Sequence, residues 1–247
     1  DDGGAATMRL HTVADASKTV EYCAVNGEIV FFTDRHGLKF VLVDSHKVHA
    51  LLELDEGEYR GVDVHSQSSM LYFCDYANSV VYRTSTAGVS LTPVVSDVAK
   101  PLAVAVYPTG ASGAWLFVLS EEEHAIYRAD VDGEGLVVWK SMNGLCAVAA
   151  VPSLGYVYFA ARGTLYRAPV DTPGTPEQVV SGFQQLVDIK VKPNATDDGS
   201  TVIILVDQDD ETIYAIEDGD SAADAITVVS TRRDSISTPR GVCLRDK

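Results

Sequence analysis

The amino-acid sequence predicts an all-β protein made of repeated four-stranded units, and three observations support this prediction. Short apolar strands recur with a period of roughly 40–45 residues. Each is followed by a polar loop and a second strand that has its own aromatic residue. No unit carries the i, i+3, i+4 apolar pattern of a helix over about ten residues, which argues against a helical solenoid. The five leading strands are Phe31 to Asp34, Tyr72 to Asp75, Phe117 to Ser120, Tyr158 to Ala161 and Ile204 to Asp207.

The remaining strands of each unit are placed relative to the leading strand. The strand that follows it carries Phe40, Tyr82, Tyr127, Tyr166 or Tyr214. Small side chains are expected where sheets converge on a central axis. The strand that precedes it carries small residues in one expected register, at Ala24, Asp63, Ala105, Ala147, Asp188 and Cys243. A β-branched stretch ends each unit, over residues 48–54, 89–95, 136–139, 177–180 and 225–230.

Four short strands per repeat of this length are typical of a blade of a β-propeller. The Asn26-Gly27 pair fits a type I′ turn between the first two strands. We therefore expect an N-terminal segment with a closing strand at 1–18 and a single propeller at 19–247. Its blades are predicted at about 19–55, 56–97, 98–140, 141–181 and 182–231, with a partial blade at 232–247.

The strand count predicts six blades, of which the last is incomplete. The five full units are preceded by a strand-like stretch at Met8 to Val13, which resembles an outermost strand, and followed by an innermost-type strand at Gly241 to Leu244. These two strands cannot pair directly, because two middle strands belong between them. We expect either that the chain continues beyond Lys247 or that another segment supplies the missing pair. The alternative is a five-bladed ring with frayed ends.

The composition restricts the class of partner. The chain has 19 Lys and Arg residues against 35 Asp and Glu residues, and the resulting net charge of −16 disfavours nucleic acid. No apolar run approaches the ~20 residues of a transmembrane helix, so no membrane span is predicted within this chain. The chain begins at Asp1 without a signal-like segment, as a mature chain or a fragment would. The four cysteines are too few and too scattered for a disulfide scaffold and are expected to be small core residues.

Two kinds of motif resemble known propeller families. The tetrapeptides Phe31 to Asp34 and Tyr72 to Asp75 resemble those of YWTD propellers of lipoprotein-receptor type, and residues 126–133 resemble the segment that follows them. Pro239 to Val242 and, more loosely, Pro101 to Val104 are similar to the blade start of NHL propellers. Trp is absent from every tetrapeptide, and the third and fourth units end in Ser120 and Ala161 instead of Asp. The choice between the two families therefore stays open.

The resemblance implies roles for some residues. In similar propellers the tetrapeptide Asp residues brace neighbouring blades through hydrogen bonds, so Asp34, Asp75 and Asp207 are expected to be structural. Some NHL-bearing surface glycoproteins of flagellated protozoa attach one membrane to another. A likeness at that level implies that the partner is another protein, at the cell surface or outside the cell.

In a propeller, the loops between the second and third strands share a face with the junctions between blades. Here that face gathers aromatic, arginine and acidic residues, which is typical of a polar protein-binding surface. The alternative is that these charged loops are merely solvated. The predicted partner-binding residues are His36, Tyr59, Arg60, Tyr76, Asn78, Glu121, His124, Arg162, Asp209, Asp210, Arg232 and Arg233.

The opposite face carries the turn at Asn26-Gly27 and the loops at 66–69, 108–114 and 193–201. The last loop contains Asn194-Ala195-Thr196, a sequon for N-glycosylation. A glycan on Asn194 would place the chain in the secretory pathway and leave the first face for a partner.

The pattern does not favour catalysis. A calcium site of the kind found in lactonase-like propellers needs about six to eight oxygen ligands near the axis, whereas the innermost register offers only Asp63 and Asp188. The histidines are dispersed, and no G-x-S-x-G, H-E-x-x-H or P-loop motif occurs. The sequence therefore predicts no metal, no cofactor and a non-catalytic extracellular domain for protein adhesion or receptor–ligand contact. The alternatives are a calcium-dependent lactonase, esterase or lyase-like enzyme and an intracellular scaffold.

Overall fold

The computed structural model describes residues 22–34, 36–45, 47–54, 57–110, 113–193, 201–218 and 226–231. Within these residues, twenty β-strands form five sheets of four antiparallel strands each. The first three sheets in chain order have the following strands. The first contains β1 (Cys23–Asn26), β2 (Ile29–Asp34), β3 (Gly37–Leu42) and β4 (Val48–Glu53). The second contains β5 (Tyr59–His65), β6 (Met70–Asp75), β7 (Val80–Ser85) and β8 (Thr92–Val95). The third contains β9 (Pro101–Pro108), β10 (Ala114–Ser120), β11 (Ala125–Asp130) and β12 (Val137–Ser141).

The last two sheets follow the same order. The fourth contains β13 (Leu145–Val151), β14 (Tyr156–Ala161), β15 (Thr164–Pro169) and β16 (Glu177–Ser181), with a short 3-10 helix at Pro152–Leu154. The fifth contains β17 (Leu186–Pro193), β18 (Thr201–Asp207), β19 (Thr212–Asp218) and β20 (Ile226–Thr231). Within the described ranges, no helix is long and apolar enough to cross a bilayer.

The five sheets are the blades of a β-propeller, arranged in a ring. In each blade the strands pair in chain order, and the first strand is innermost. The innermost strands of successive blades contact one another, β1 against β5, β5 against β9, β9 against β13 and β13 against β17. The predicted four-stranded-blade propeller is thus confirmed. The predicted closing strands at Met8 to Val13 and Gly241 to Leu244 lie outside the described residues.

The hydrophobic core lies between adjacent blades, because each sheet buries its second strand on both faces. Phe117 and Phe159 are fully buried in the second strands of the third and fourth blades. The indole of Trp139 packs edge-on between them, with ring centroids 5.2 Å from Phe117 and 6.0 Å from Phe159. Its Nε1 donates to the carbonyl of Val170 at 2.9 Å, so the polar edge of this buried ring has a partner.

The expected common register of small inner residues holds in three blades and is wrong in two. Ala24, Asp63 and Ala105 pair with the leading aromatic residues of their blades. In the fourth and fifth blades the pairing differs by two residues from this alignment, although the second and third blades also carry a bulge at the start of the innermost strand. The positions opposite Tyr158 and Ile204 are therefore Ala149 and Lys190, in place of the expected Ala147 and Asp188.

The cysteines do not all behave as small core residues. Cys74 is a fully buried free thiol, and Cys146 is a half-buried one. Cys23, on innermost strand β1, is instead disulfide-bonded. Cys23 is buried in the core as expected, but it is bonded rather than a free thiol, which the spacing of the cysteines in the sequence does not indicate.

Candidate functional site

Four turns between second and third strands lie on one face of the propeller, together with the junctions between blades. We call this surface the upper face and define it by the turns 76–79, 121–124, 162–163 and 208–211. In each, the first residue donates its backbone N–H to a carbonyl of the junction that leads into the same blade. The bonds are Tyr76 to Glu58 (2.8 Å), Glu121 to Lys100 (3.2 Å), Arg162 to Gly144 (3.2 Å) and Gln208 to Gln185 (2.9 Å). The turns are therefore held against the junctions.

Buried carboxylates at the ends of the leading strands reinforce these links. Asp207 is fully buried and accepts the backbone N–H groups of Gln184 at 2.7 Å and Gln185 at 3.0 Å. It also accepts the N–H of Asp210 in the turn at 3.2 Å. Asp207 is thus structural, as the resemblance implied, but it ties the turn to its own blade's junction rather than to a neighbouring blade.

The other leading-strand termini vary this theme. Asp75 accepts hydrogen bonds from the backbone N–H of Asn78 at 3.1 Å and from its side chain at 2.8 Å. Asp34 pairs with Lys39 and accepts the N–H of His36 at 2.8 Å. Ser120, where Asp is lost, donates to the carbonyl of Ala99 at 2.5 Å and accepts the N–H of Glu123 at 3.1 Å. A hydroxyl therefore links junction and turn in the third blade.

An aromatic and charged group joins the second and third blades on the upper face. The Tyr76 cluster consists of Tyr76, Arg60, Lys100, Glu58 and Glu121. The ring of Tyr76 lies 4.8 Å from Lys100 Nζ and 5.4 Å from Arg60 Cζ, which are cation–π distances. Its hydroxyl donates to Glu121 Oε2 at 2.5 Å, and Arg60 pairs with Glu58. The hydrogen bond to Glu121, together with partial burial, raises the pKa of Tyr76 to about 12.

Most predicted site residues in the described part of the chain reach the surface of the upper face. His36, Asn78, Glu121, His124, Arg162, Asp209 and Asp210 are exposed, and Arg60 and Tyr76 are half-buried. Asp210 accepts the hydroxyl of Tyr214 at 2.6 Å and the side-chain amide of Gln184 at 3.2 Å. Arg232, Arg233 and the sequon residue Asn194 lie outside the described residues.

Tyr59 is the exception among the predicted residues. Only 3% of it is exposed, and its ring meets that of Phe73 edge-on at 6.0 Å in the core between the first two blades. Its position at the start of β5 puts it inside the sheet, so it cannot serve as a contact residue. Conversely, Lys100 was not among the predicted residues. The signal that could have found it is its place directly before Pro101, where a blade begins.

The centre of the propeller holds two carboxylates and an ammonium group. Asp63 accepts the N–H of Val64 and that of Val106 on the next blade, both at 2.8 Å. Burial raises the pKa of Asp63, and the charge of Lys190 opposes this shift. Asp188 accepts the N–H of Ile189 at 2.9 Å and lies 3.6 Å from Lys190 Nζ. The described residues contain no group of three or more His, Cys, Asp or Glu placed to hold a metal ion.

Comparison with known proteins identifies the fold but no family. No protein-family model matches the sequence, and no curated protein matches it significantly. A chain of a nidogen/laminin complex resembles the structure with a TM-score of 0.76 at 10% identity, over 92% of this chain and 85% of that chain. An auxiliary nutrient binding protein from Bacteroides thetaiotaomicron gives 0.69 at 10% identity, over 91% and 63%. Virginiamycin B lyase from Staphylococcus aureus gives 0.61 at 14% identity, over 87% and 71%.

These structures include binding proteins and an enzyme, so the likeness carries no single activity with it. What they have in common with this chain, at such low identities, is the β-propeller fold.

Proposed function

We propose that the protein is a non-catalytic, extracellular recognition domain that binds another protein through its upper face. The observation that carries the proposal is the Tyr76 cluster, in which an aromatic ring and two cations are held at the surface by contacts across a blade boundary. Tyr and Arg are enriched at the energetic centres of protein interfaces. A rigid presentation also lowers the entropy lost on binding.

The axial groups support a binding role over calcium-dependent catalysis. Asp63 and Asp188 already accept backbone N–H groups, and Lys190 places a positive charge near both. A divalent cation would have to displace these bonds and overcome the repulsion of the ammonium group. Virginiamycin B lyase has a similar fold, so the alternative proposal is that this protein is an enzyme.

One further observation supports an extracellular setting, and another supports a protein as the partner. The disulfide at Cys23 is the kind of bond that persists in oxidising compartments and is rare in the cytosol. The nidogen/laminin structure, which shares this fold, is a complex between proteins. We infer that the partner is likewise a protein, at the cell surface or in the extracellular space, and that the contact serves adhesion or receptor–ligand recognition.

The test is a pull-down of biotinylated cell-surface proteins by the intact protein and by matched variants. Arg60→Ala and Tyr76→Ala on the upper face should reduce capture, with the thermal midpoint lowered by at most about 4 °C because these contacts lie at the surface. Gln67→Ala, in the turn between β5 and β6 on the opposite face, is the control and should capture as the unaltered protein does. Equal loss from Gln67→Ala would move the site to the opposite face. Stoichiometric calcium together with turnover on a panel of lactones and esters would replace the proposal with an enzyme.

A further inference from the structure

On the upper face, the turn of the fourth blade protrudes less than the turns of the neighbouring blades. The turn from β14 to β15 has two residues, Arg162 and Gly163, whereas the corresponding turns of the second, third and fifth blades have four. Both residues adopt positive φ, 49° at Arg162 and 68° at Gly163, as in a tight two-residue hairpin. A step in the surface follows from this difference in turn length.

A depression of about 350 Å³ lies at this step, along the boundary between the third and fourth blades. It is lined by Met142, Asn143, Ala161, Arg162 and Tyr166. Met142 and Asn143 come from the junction after β12, and the N–H of Met142 donates to the carbonyl of His124 at 3.0 Å. The depression therefore has apolar walls, from Met142 and Tyr166, and a cationic group at its fourth-blade side.

Arg162 differs from the other arginines of the described ranges. Arg83 pairs with Asp132 at 2.6 Å, Arg167 pairs with Glu177 at 2.9 Å, Arg60 pairs with Glu58, and Arg128 stacks 4.6 Å from the ring of Trp115. The guanidinium of Arg162 makes no hydrogen bond or ion pair with any described residue. In a chain with a net charge of −16, an exposed guanidinium without a carboxylate partner is a site for an anion from outside.

The backbone fixes where this side chain lies. A Cβ placed on Gly144 would be 2.7 Å from Arg162 Cγ, so the stem of the arginine crosses directly over that glycine. Gly144 has φ of 80°, a conformation that favours glycine. The stem is thus seated beside the depression, and less side-chain entropy remains to be lost on binding.

The charges beside the depression have the opposite sign. The adjoining turn carries Glu121, Glu122 and Glu123. Glu121 accepts the hydroxyl of Tyr76. Burial and, to a lesser degree, the neighbouring carboxylate of Glu123 raise the pKa of Tyr127. Glu122 extends from the same turn and is exposed. A ligand that reaches Arg162 must therefore tolerate an acidic rim.

We propose that this depression receives an acidic side chain from a loop of the partner protein, with basic residues of that loop facing Glu122. The carboxylate pairs with the Arg162 guanidinium, and the carbon atoms of the loop pack on Met142 and Tyr166. The inference rests on the proposed protein-binding function and specifies the chemistry of the partner loop, since only a segment with both charge signs satisfies Arg162 and the acidic rim.

The test uses two fluorescein-labelled Gly/Ser peptides with lysines near both ends and either Asp or Asn at the centre, with binding followed by fluorescence anisotropy. The unaltered protein should bind the Asp peptide at least about tenfold more tightly than the Asn peptide. Arg162→Gln should abolish that difference, and Arg162→Lys should retain part of it. Glu122→Gln should weaken binding of both peptides alike.

Arg167→Gln is the matched control, because Arg167 lies in the same blade but is paired with Glu177. It should leave the preference for Asp unchanged. Three results would each overturn the inference. The two peptides could bind with equal affinity, or Arg162→Gln could keep the full preference for the Asp peptide. Free aspartate could also displace the Asp peptide at the concentration at which the unlabelled peptide does. These results would leave the broader proposal standing, provided that Arg60→Ala and Tyr76→Ala still reduce capture of the protein partner.

Discussion

The hydroxyl of Tyr76 donates to Oε2 of Glu121 at 2.5 Å, and this bond joins the turn of the second blade to the turn of the third. The two residues are 45 positions apart in the sequence, which is one repeat. The upper face is therefore a surface whose parts are held in fixed relative positions across a blade boundary. A partner that binds there meets a preorganised ring with cations beside it.

We predict that Glu121→Gln lowers the pKa of Tyr76 from about 12 toward the ordinary tyrosine value near 10. The negative charge of Glu121 holds the proton on the phenol, and an amide acceptor removes that charge. Because the pKa of Tyr76 is raised in the folded state, this bond stabilises the folded protein fully at pH values below the unfolded-state pKa of the phenol. Its contribution to the free energy of unfolding is lost as the pH rises through about 12. The measurement is absorbance at the tyrosinate band during an alkaline titration.

Subtraction of a Tyr76→Phe titration assigns the signal, which is needed because the pKa of Tyr214 is also raised to about 12. Glu122→Gln is the matched control on the same turn and should leave the Tyr76 titration in place. An unaltered Tyr76 titration in Glu121→Gln would show that the hydrogen bond does not form in solution.

Asp207→Ala should destabilise the protein by about 3 kcal/mol. The substitution leaves three backbone N–H groups, at Gln184, Gln185 and Asp210, without their shared acceptor at a fully buried position. Urea unfolding followed by tryptophan fluorescence measures the change. Asp209→Ala, two residues away and exposed, is the control and should unfold at nearly the unaltered midpoint. Similar midpoints for the two variants would contradict the structural role of Asp207.

Gly133→Ala should cost markedly more stability than Gly155→Ala. Both glycines have positive φ, 85° and 71°. A Cβ on Gly133 would lie 1.6 Å from the carbonyl oxygen of Val94 on the neighbouring blade, whereas one on Gly155 meets nothing within 4 Å. Gly155→Ala should therefore lower the free energy of unfolding by about 1 kcal/mol, from backbone strain alone. Gly133→Ala should lower it by at least about 3 kcal/mol, because the added methyl group also forces two blades apart.

Thermal unfolding of the two variants side by side gives the comparison. Equal losses would mean that the turn at Gly133 does not dock on the second blade. Arg83 supplies an independent check of that docking, because its guanidinium bonds the carbonyl of Val131 at 3.2 Å and the carboxylate of Asp132 at 2.6 Å in the same turn.

The sequence sufficed to predict the blades because every leading strand is buried between two sheets, and this burial imposes the same apolar pattern in each repeat. It did not suffice at the bulges. One extra residue reverses which face a side chain occupies, so Tyr59, placed among surface residues by its position in a junction, lies in the core. The alignment of the innermost strands is also displaced by two residues in the fifth blade, where Lys190 pairs with Ile204 and Asp188 pairs with Val206.

The upper face was predictable only as a set of turns. Which side chains meet there depends on turn length and on contacts between repeats. Lys100 approaches Tyr76 from a different blade, and Arg162 is exposed beside a depression because its turn is two residues shorter than three of the others. Neither relationship has a signature within one repeat.

We finally predict that the protein contains two reactive thiols in denaturant without reductant and four after reduction. Cys74 and Cys146 are free, Cys23 is disulfide-bonded, and the sequence has four cysteines, so a single intramolecular disulfide accounts for all of them. In the native protein both free thiols should react slowly at pH 8, because burial raises the pKa of Cys146 to about 12 and raises that of Cys74 as well, which leaves little thiolate. Titration with a chromogenic disulfide reagent measures each count. Four thiols in denaturant without reductant would exclude the disulfide, and the extracellular setting would lose the support that the disulfide gives it.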